Sequence, residues 1–488
     1  MMIWENFILY GPYLISAIVV LFTYYFLKNR GLPPGPFRWP FIAAISNDKK
    51  LMIFLRNLER KYGSIFRFRL GTQHVTVVGG LENIKQVLEE ESLQPYREWS
   101  TFITPIQPSQ GGSLLGNAEL WRTLEKLTEE TVDNFLKEGS SLETTILEEF
   151  RFLHSELSAE KCRQISMLNM IREAVYNIVS AITIGERLEF DRPSCRRFKE
   201  CLQEISKSGN FGIPESGLSL LQHLSSTKSS KFRDSVKYIQ EFLGPRLTNH
   251  KTSLIKKELL DFVDVCLKYS ATERKVVNDE DILLGVINLF ICGCEPTVSL
   301  MAWTFLMLIR YPELQKKCRH VIKLQIKDDG CVSWGDRQKL PLILATIQEA
   351  QRFSNPVPYG YPYKVSSELE VGDYRVPSGD LLLLNVQSCH MDYTYWKRPS
   401  EFRPENFMDS DGKLIRHEAF LPYGLGRRTS NFNSFTDQIL FLLMTNIINK
   451  FDLRAPEDNP NPSLTAEDSL IRYPKPFHVV PYPTKEGE

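Results

Sequence analysis

The stretch "LPYGLGRRTSNFNSF", residues 421–435, has the composition of a loop built to hold something. Gly424 and Gly426 permit a tight turn, Arg427 and Arg428 make it positively charged, and a helical pattern follows. A loop of this shape presents one side chain to a cofactor, and here that place is taken by Ser430, a neutral and weak donor. Upstream, Glu349 and Arg352 in "QEAQR" stand three apart, the spacing that lets opposite charges meet on one helix face. A third group, Gly293, Glu295, Pro296 and Thr297, interrupts the apolar segment "DEDILLGVINLFICGCEPTVSLMAWTFLMLIRYPE" (279–313). A proline there removes the amide that would bond the Cys292 carbonyl, so a helix broken and kinked at Gly293 and Pro296 is expected, of the kind that lies beside a ligand. Cys292-Gly-Cys294 has no second pair at zinc-site distance.

These groups need a large frame, and 488 residues supply one. Segment 279–313 is apolar on nearly all faces, which marks a helix through the middle of a big domain. "SIFRFRLGTQHVTVVGG" (64–80) alternates apolar and polar residues and reads as strand, turn, strand. Helical patterns dominate from about 81 to 350, and strand signals return near 357–385. The fold class is therefore mainly α with a small β-sheet. Residues 7–27, "FILYGPYLISAIVVLFTYYFL", carry no charge and are long enough to cross a hydrocarbon core of about 30 Å. Lys28 and Arg30 follow, so the positive-inside rule places the body in the cytosol. The expected division is an uncleaved membrane anchor (1–30), a Pro-rich connector (31–45, containing "LPPGPFRWP") and one domain (46–488). Lys+Arg and Asp+Glu are both 59, a balance that argues against a nucleic-acid partner. Nine cysteines in no repeating framework read as reduced thiols facing the cytosol.

Taken in order, the anchor, the connector, the long core helix, Glu349-x-x-Arg352, "EFRPENF" (401–407) and the loop resemble a microsomal cytochrome P-450, end to end. The style is that of the drug- and steroid-hydroxylating clan. The resemblance implies the cytochrome P-450 fold with an N-terminal transmembrane anchor helix and haem as cofactor. It also implies an endoplasmic-reticulum membrane location with a single pass, a flavoprotein reductase as electron donor, and a haem-dependent monooxygenase, an oxidoreductase, acting on a hydrophobic small molecule. In that family a phenylalanine, glycines and an arginine lead up to a cysteine whose thiolate binds the iron and permits oxygen insertion. The resemblance matches Phe420, Gly424, Gly426 and Arg428 to that loop, with Arg428 on a haem propionate. Trp121 matches the helical tryptophan on a propionate, Glu349 and Arg352 the structural pair under the loop, and Gly293 and Glu295 the distal helix.

Four departures fall at functional positions. The thiolate position is Ser430 and the glycine two further on is Phe432; the distal threonine is Pro296, followed by Thr297; and a propionate-binding arginine is Glu125. No cysteine follows Cys389, so a shift of register does not restore the ligand. A serine hydroxyl cannot supply a thiolate's electron push. Glu125 would face a propionate of like sign, costing about 1 kcal/mol at about 4 Å in water and several times that in a protected site. His417 is a conceivable replacement ligand or a surface histidine beside Arg416 and Glu418. Together the departures lead us to expect a degenerate haem site with impaired or lost monooxygenase activity, a pseudoenzyme that binds a steroid- or lipid-like ligand. The alternative is an active monooxygenase of steroid, lipid or xenobiotic substrates with an unusual axial ligand at Ser430. Residues 118–138 hold Glu119, Glu125, Glu129, Glu130, Asp133 and Glu138 against Arg122, Lys126 and Lys137, an acidic face expected to weaken docking of an acidic reductase. By resemblance, Leu289, Phe290 and Gly293, the loop 97–116 and "NPVPYG" (355–360) would wall the ligand pocket, or would only fill the core.

Overall fold

A computed structural model describes Ser16 and residues 30–36, 48–70, 73–89, 118–136, 141–160, 162–208, 226–253, 261–272, 277–326, 330–360, 363–423, 433–467 and 471–484. The expected anchor, the pocket loop 97–116 and the loop glycines, Arg428, Ser430 and Phe432 lie outside the described residues.

Helix α1 (Asp48–Tyr62) leads into β1 (Ile65–Leu70) and β2 (Gln73–Gly79), the expected hairpin, and then α2 (Leu81–Glu89). A helical series follows: α3 (Ala118–Leu136), α4 (Ser141–Ala159), α5 (Met167–Ile184), α6 (Pro193–Ser208), α7 (Ser226–Ser253), α8 (Phe262–Thr272), α9 (Asp279–Arg310), α10 (Pro312–Gln325) and α11 (Pro341–Ser354). The short strands β3 (Tyr363–Lys364), β4 (Leu369–Val371), β5 (Tyr374–Val376) and β6 (Leu381–Asn385) come next, then α12 (Val386–His390), α13 (Asn433–Lys450), β7 (Phe451–Arg454) and β8 (Val480–Pro483). The last two strands pair antiparallel, and the sequence patterns do not reveal them.

Helix α9 is the axis. Asn278 caps it, accepting from the Asp281 amide while Asp281 returns a bond to the Asn278 amide. It packs along α5 and also meets α6, α7, α8, α10, α11 and α13, which buries it on all sides as its composition demands. By length and composition it could cross a membrane, yet most of its surface lies inside this core. The expected break does not occur: α9 is assigned as one helix through Pro296, which removes a single amide from a helix of 32 residues.

The main sheet has the order β1-β2-β6-β3, with β2 and β6 parallel and the other pairs antiparallel. Phe66 and Phe68 face α1 across a small core with Val75, Val77 and Tyr359. Alternation would put Arg67 on a wet face, but it is 5% exposed. Its guanidinium grips Asp380 at 2.5 and 2.7 Å, and the Thr76 hydroxyl donates to the same carboxylate at 2.9 Å. The buried arginine is tolerated because its counter-charge is buried with it. Elsewhere His250 of α7 meets Asp264 at 2.7 Å and the Ile184 carbonyl at 3.1 Å, joining α7, α8 and the end of α5. Gly185 ends α5 at φ +66, and a Cβ there would stand 2.5 Å from the Asp261 carboxylate, so glycine serves both the turn and the close approach.

Candidate active site

The site is built up from a buried ion pair on α11. Glu349 and Arg352 meet on α11, both fully buried, with Nε and Nη2 of the arginine each 2.7 Å from a carboxylate oxygen. Nη1 donates to the carbonyls of His390 and Pro399, both at 2.8 Å, and Nη2 to that of Glu401 at 3.0 Å. All five guanidinium N–H groups are thereby used. Glu349 also accepts from the Arg403 amide (2.7 Å) and Asn406 (3.2 Å). The expected pair is therefore the centre of a network that fixes segment 390–406.

Trp396 lies 5.1 Å from the Arg352 guanidinium and donates to the Cys389 carbonyl at 2.8 Å. His417 stacks on Trp396 with ring centres 3.8 Å apart, donates from Nε2 to the Tyr395 carbonyl (2.9 Å) and accepts at Nδ1 from the Ala419 amide (3.4 Å). It is half-buried with both nitrogens engaged, so it is neither a plain surface histidine nor a ligand held ready. Phe420 packs its ring against Phe407 (4.8 Å) and His390 (5.8 Å). The Leu421 amide donates to His390 Nε2 at 2.9 Å. At the mouth of the loop, Tyr423 donates to Asp437 of α13 at 2.7 Å and accepts from Gln351 at 2.6 Å.

On the other side stands α9. Glu295 is 3% exposed, and its carboxylate accepts from the hydroxyls of Tyr176 on α5 and Tyr473 near the C-terminus. Arg172 Nε lies 3.6 Å from the same carboxylate, and its guanidinium sits 5.7 Å from the Tyr473 ring centre. Burial pushes both phenols well above their ordinary range, aided by the Glu295 charge. Glu295 is thus held by three neighbours on two other segments. Thr297 spends its hydroxyl on the Gly293 carbonyl (2.7 Å), a bond within the helix, and its Oγ1 is 3.5 Å from that of Thr436 on α13. Pro296 offers no hydroxyl or amide.

The structure thus brings together Glu349 and Arg352 with Phe420, and separately Glu295 with Thr297. Trp121 lies on α3, although its side chain lies outside the described residues. Among the proposed pocket residues, Phe290 packs edge-on against Tyr176 and Phe198, and Tyr359 belongs to the core under the sheet. Sequence reasoning missed Arg172, Tyr176 and Tyr473, which hold Glu295, and His390, Tyr423 and Asp437, which bond on either side of residues 424–432. No local signal marks them: Arg172 is followed by Glu173, and Asp437 stands between Thr436 and Gln438.

A family model for cytochrome P450 matches residues 31–481. The chain belongs to the cytochrome P450 family. Human (Homo sapiens) cytochrome P450 2U1 is 28% identical over 508 residues, covering 96% of this chain and 93% of that protein. Cytochrome P450 2D15 of Canis lupus familiaris is 26% identical, with 96% and 97% covered. Cytochrome P450 2J1 of Oryctolagus cuniculus is 29% identical, with 91% of each covered. This is therefore a P450 monooxygenase-type protein, and haem is the cofactor its family implies.

The residues present can be tested against that cofactor. The last cysteine in the chain, Cys389, is buried, and burial pushes its thiol up to about 11, so it is a neutral thiol at pH 7. His390 is neutral with Nε2 occupied, and His417 is committed on both nitrogens. The Glu349–Arg352 network is in place, but the donor set beyond Cys389 does not fit a haem thiolate.

Proposed function

We propose that this P450-family protein has a degenerate haem site with impaired or lost monooxygenase activity, and that it binds a hydrophobic, steroid- or lipid-like ligand. The observation that carries this reading is Ser430 at the axial-ligand position with no cysteine after Cys389. Glu295, Pro296 and Thr297 are then degenerate distal positions. Phe420, Gly424, Gly426, Arg428 and Trp121 are remnants of the cofactor cradle, and Glu349 and Arg352 are its structural support. The distal arrangement favours the same reading: Glu295 is tied to Tyr176, Tyr473 and Arg172, and the hydroxyl of Thr297 is turned into its own helix.

The purified protein, expressed with haem precursor, is expected to show either no Soret band or one whose reduced carbon-monoxide complex absorbs at shorter wavelength than the thiolate type. Ser430→Cys is expected to move a bound haem toward the thiolate spectrum. A thiolate-type spectrum from the unaltered chain would sink the proposal. The second reading, an active monooxygenase with an unusual axial ligand, is favoured by the complete Glu349–Arg352 network and requires stoichiometric haem with reductase-driven turnover.

In our reading residues 1–30 anchor the protein in the endoplasmic-reticulum membrane, residues 31–45 form the connector, and the domain 46–488 faces the cytosol. The reductase is a weakened partner, because Glu129, Glu130 and Asp133 are exposed on α3. Charge reversal at Glu129 and Glu130 is expected to raise reductase affinity; an unchanged affinity would remove this part.

A further inference from the structure

Away from the candidate active site, one cluster of buried side chains has the chemistry of a metal-ligand set. His250 in the last turn of α7, Asp261 just before α8 and Asp264 in the first turn of α8 are 7%, 3% and 0% exposed. One ligand atom from each lies within 4.8 Å of the others. The ring Nε2 of His250 stands 3.1 Å from the Ile184 carbonyl, which only accepts, so Nε2 carries a proton and Nδ1 is the atom that meets the carboxylates. Nδ1 is 2.7 Å from Asp264 Oδ1 and 3.6 Å from Asp261 Oδ2. Asp261 uses its other oxygen, Oδ1, to accept the Asp264 amide at 3.0 Å, so Oδ2 is the one turned toward the histidine. Gly185, at the end of α5, keeps the space beside Oδ2 open: a Cβ there would stand 2.5 Å from that oxygen.

Three electron-pair donors thus converge in a deeply buried place, and two of them are carboxylate oxygens, so a cation must stand among them. A proton on Nδ1 neutralises one charge and binds one carboxylate. A divalent ion neutralises both and uses all three atoms. Imidazole with carboxylates suits zinc better than calcium or magnesium, and a histidine whose second nitrogen donates to a backbone carbonyl is the usual arrangement behind a metal ligand. Ligand atoms around tetrahedral zinc lie about 3.3 Å apart, so the 3.6 Å separation fits as it stands, and the 2.7 Å one widens by about 0.6 Å when the ion displaces the proton. We propose that His250, Asp261 and Asp264 form a structural zinc site, its fourth position left to water, that clasps the last turn of α7 to the start of α8. Through the Nε2 bond the same site holds the end of α5. The proposal goes beyond the functional reading and does not depend on haem, which its test never reads.

The test uses the untagged full chain in detergent, stripped with a chelator and then given zinc alone. Saturating zinc is expected to raise the melting temperature by several degrees, as binding to the folded state alone does. His250→Phe and Asp264→Leu each remove one donor and are expected to abolish that rise, each read against its own stripped form. X-ray absorption at the zinc edge of the unaltered protein, loaded with one equivalent, is expected to show only nitrogen and oxygen ligands, at about 2.0–2.2 Å. That measurement needs no variant, so it decides the question where a variant does not fold. The proposal is overturned by the absence of a zinc-induced rise or by a rise that persists in either variant. Sulfur ligands at about 2.3 Å would overturn it as well, because cysteines would then have taken the metal.

Discussion

Arg352→Lys is expected to abolish cooperative folding, or to leave the protein insoluble. Lysine brings three rotatable donors on a point charge where arginine brings five in a fixed fork. The fork here reaches two oxygens of Glu349 and three backbone carbonyls from segment 390–401, all buried except the part-buried bond to Glu401. Each abandoned buried acceptor costs about 1–3 kcal/mol, and loosening a buried ion pair adds about 3–5 kcal/mol. The sum is comparable to the whole stability of a typical domain, about 5–15 kcal/mol. Soluble yield and a thermal melt followed by circular dichroism check it. A variant that melts within a few degrees of the parent would show that segment 390–406 is held by other means.

The second large effect is acid sensitivity from one histidine. His390 is fully buried, and burial, reinforced by the nearby Arg352 charge, lowers its pKa from 6.5 to about 3. Its Nε2 accepts the Leu421 amide, so the ring proton sits on Nδ1, for which no partner occurs among the described residues. The folded state refuses a proton that the unfolded chain takes up below pH 6.5. Stability is therefore full above that pH and falls as pH drops toward 3, by about 1.4 kcal/mol per pH unit. Across the window the loss approaches about 5 kcal/mol. His390→Gln retains an acceptor for the Leu421 amide without the titration, and its denaturant-derived stability is expected to fall less steeply between pH 6.5 and 4, by close to one proton. Equal slopes for the two proteins would mean that His390 is accessible to protons in the folded state.

What the sequence reveals and conceals follows from distance along the chain. The Glu349–Arg352 pair is legible because helical geometry alone makes positions three apart meet. Its remaining partners are groups of residues 390–406, 38 to 57 residues away, which no local rule selects. The helix α9 is legible from its all-round apolarity, whereas the expected break at Pro296 fails because a proline deletes one amide of a long helix whose other turns are buried among neighbouring helices. Arg67 misleads in another way: alternation identifies the strand but not that its second face is also covered, and only Asp380, 313 residues on, makes that tolerable. Tyr473 lies 178 residues from Glu295 and carries no signature that would pair them. Near the C-terminal helix, the absence of any cysteine after Cys389 is wholly legible, while the bonds among Gln351, Tyr423 and Asp437 depend on helix packing that only the structure supplies.

The chain's last segment also sets an order of events during synthesis. Arg472 accepts at its carbonyl from Ser299 (2.8 Å) and Trp303 (2.7 Å) of α9 and donates its amide to the Pro356 carbonyl (2.8 Å); Tyr473 closes over Glu295; and Ile165 bonds Val479 in both directions. Until residues 471–479 leave the ribosome, the carboxylate of Glu295 and the indole N–H of Trp303 lack these partners, although α5 and α9 are long since made. From the synthesis of Glu295 to that of Tyr473, 178 residues later, the growing chain therefore carries an incompletely satisfied centre, and residues 471–479 act as the latch that completes it.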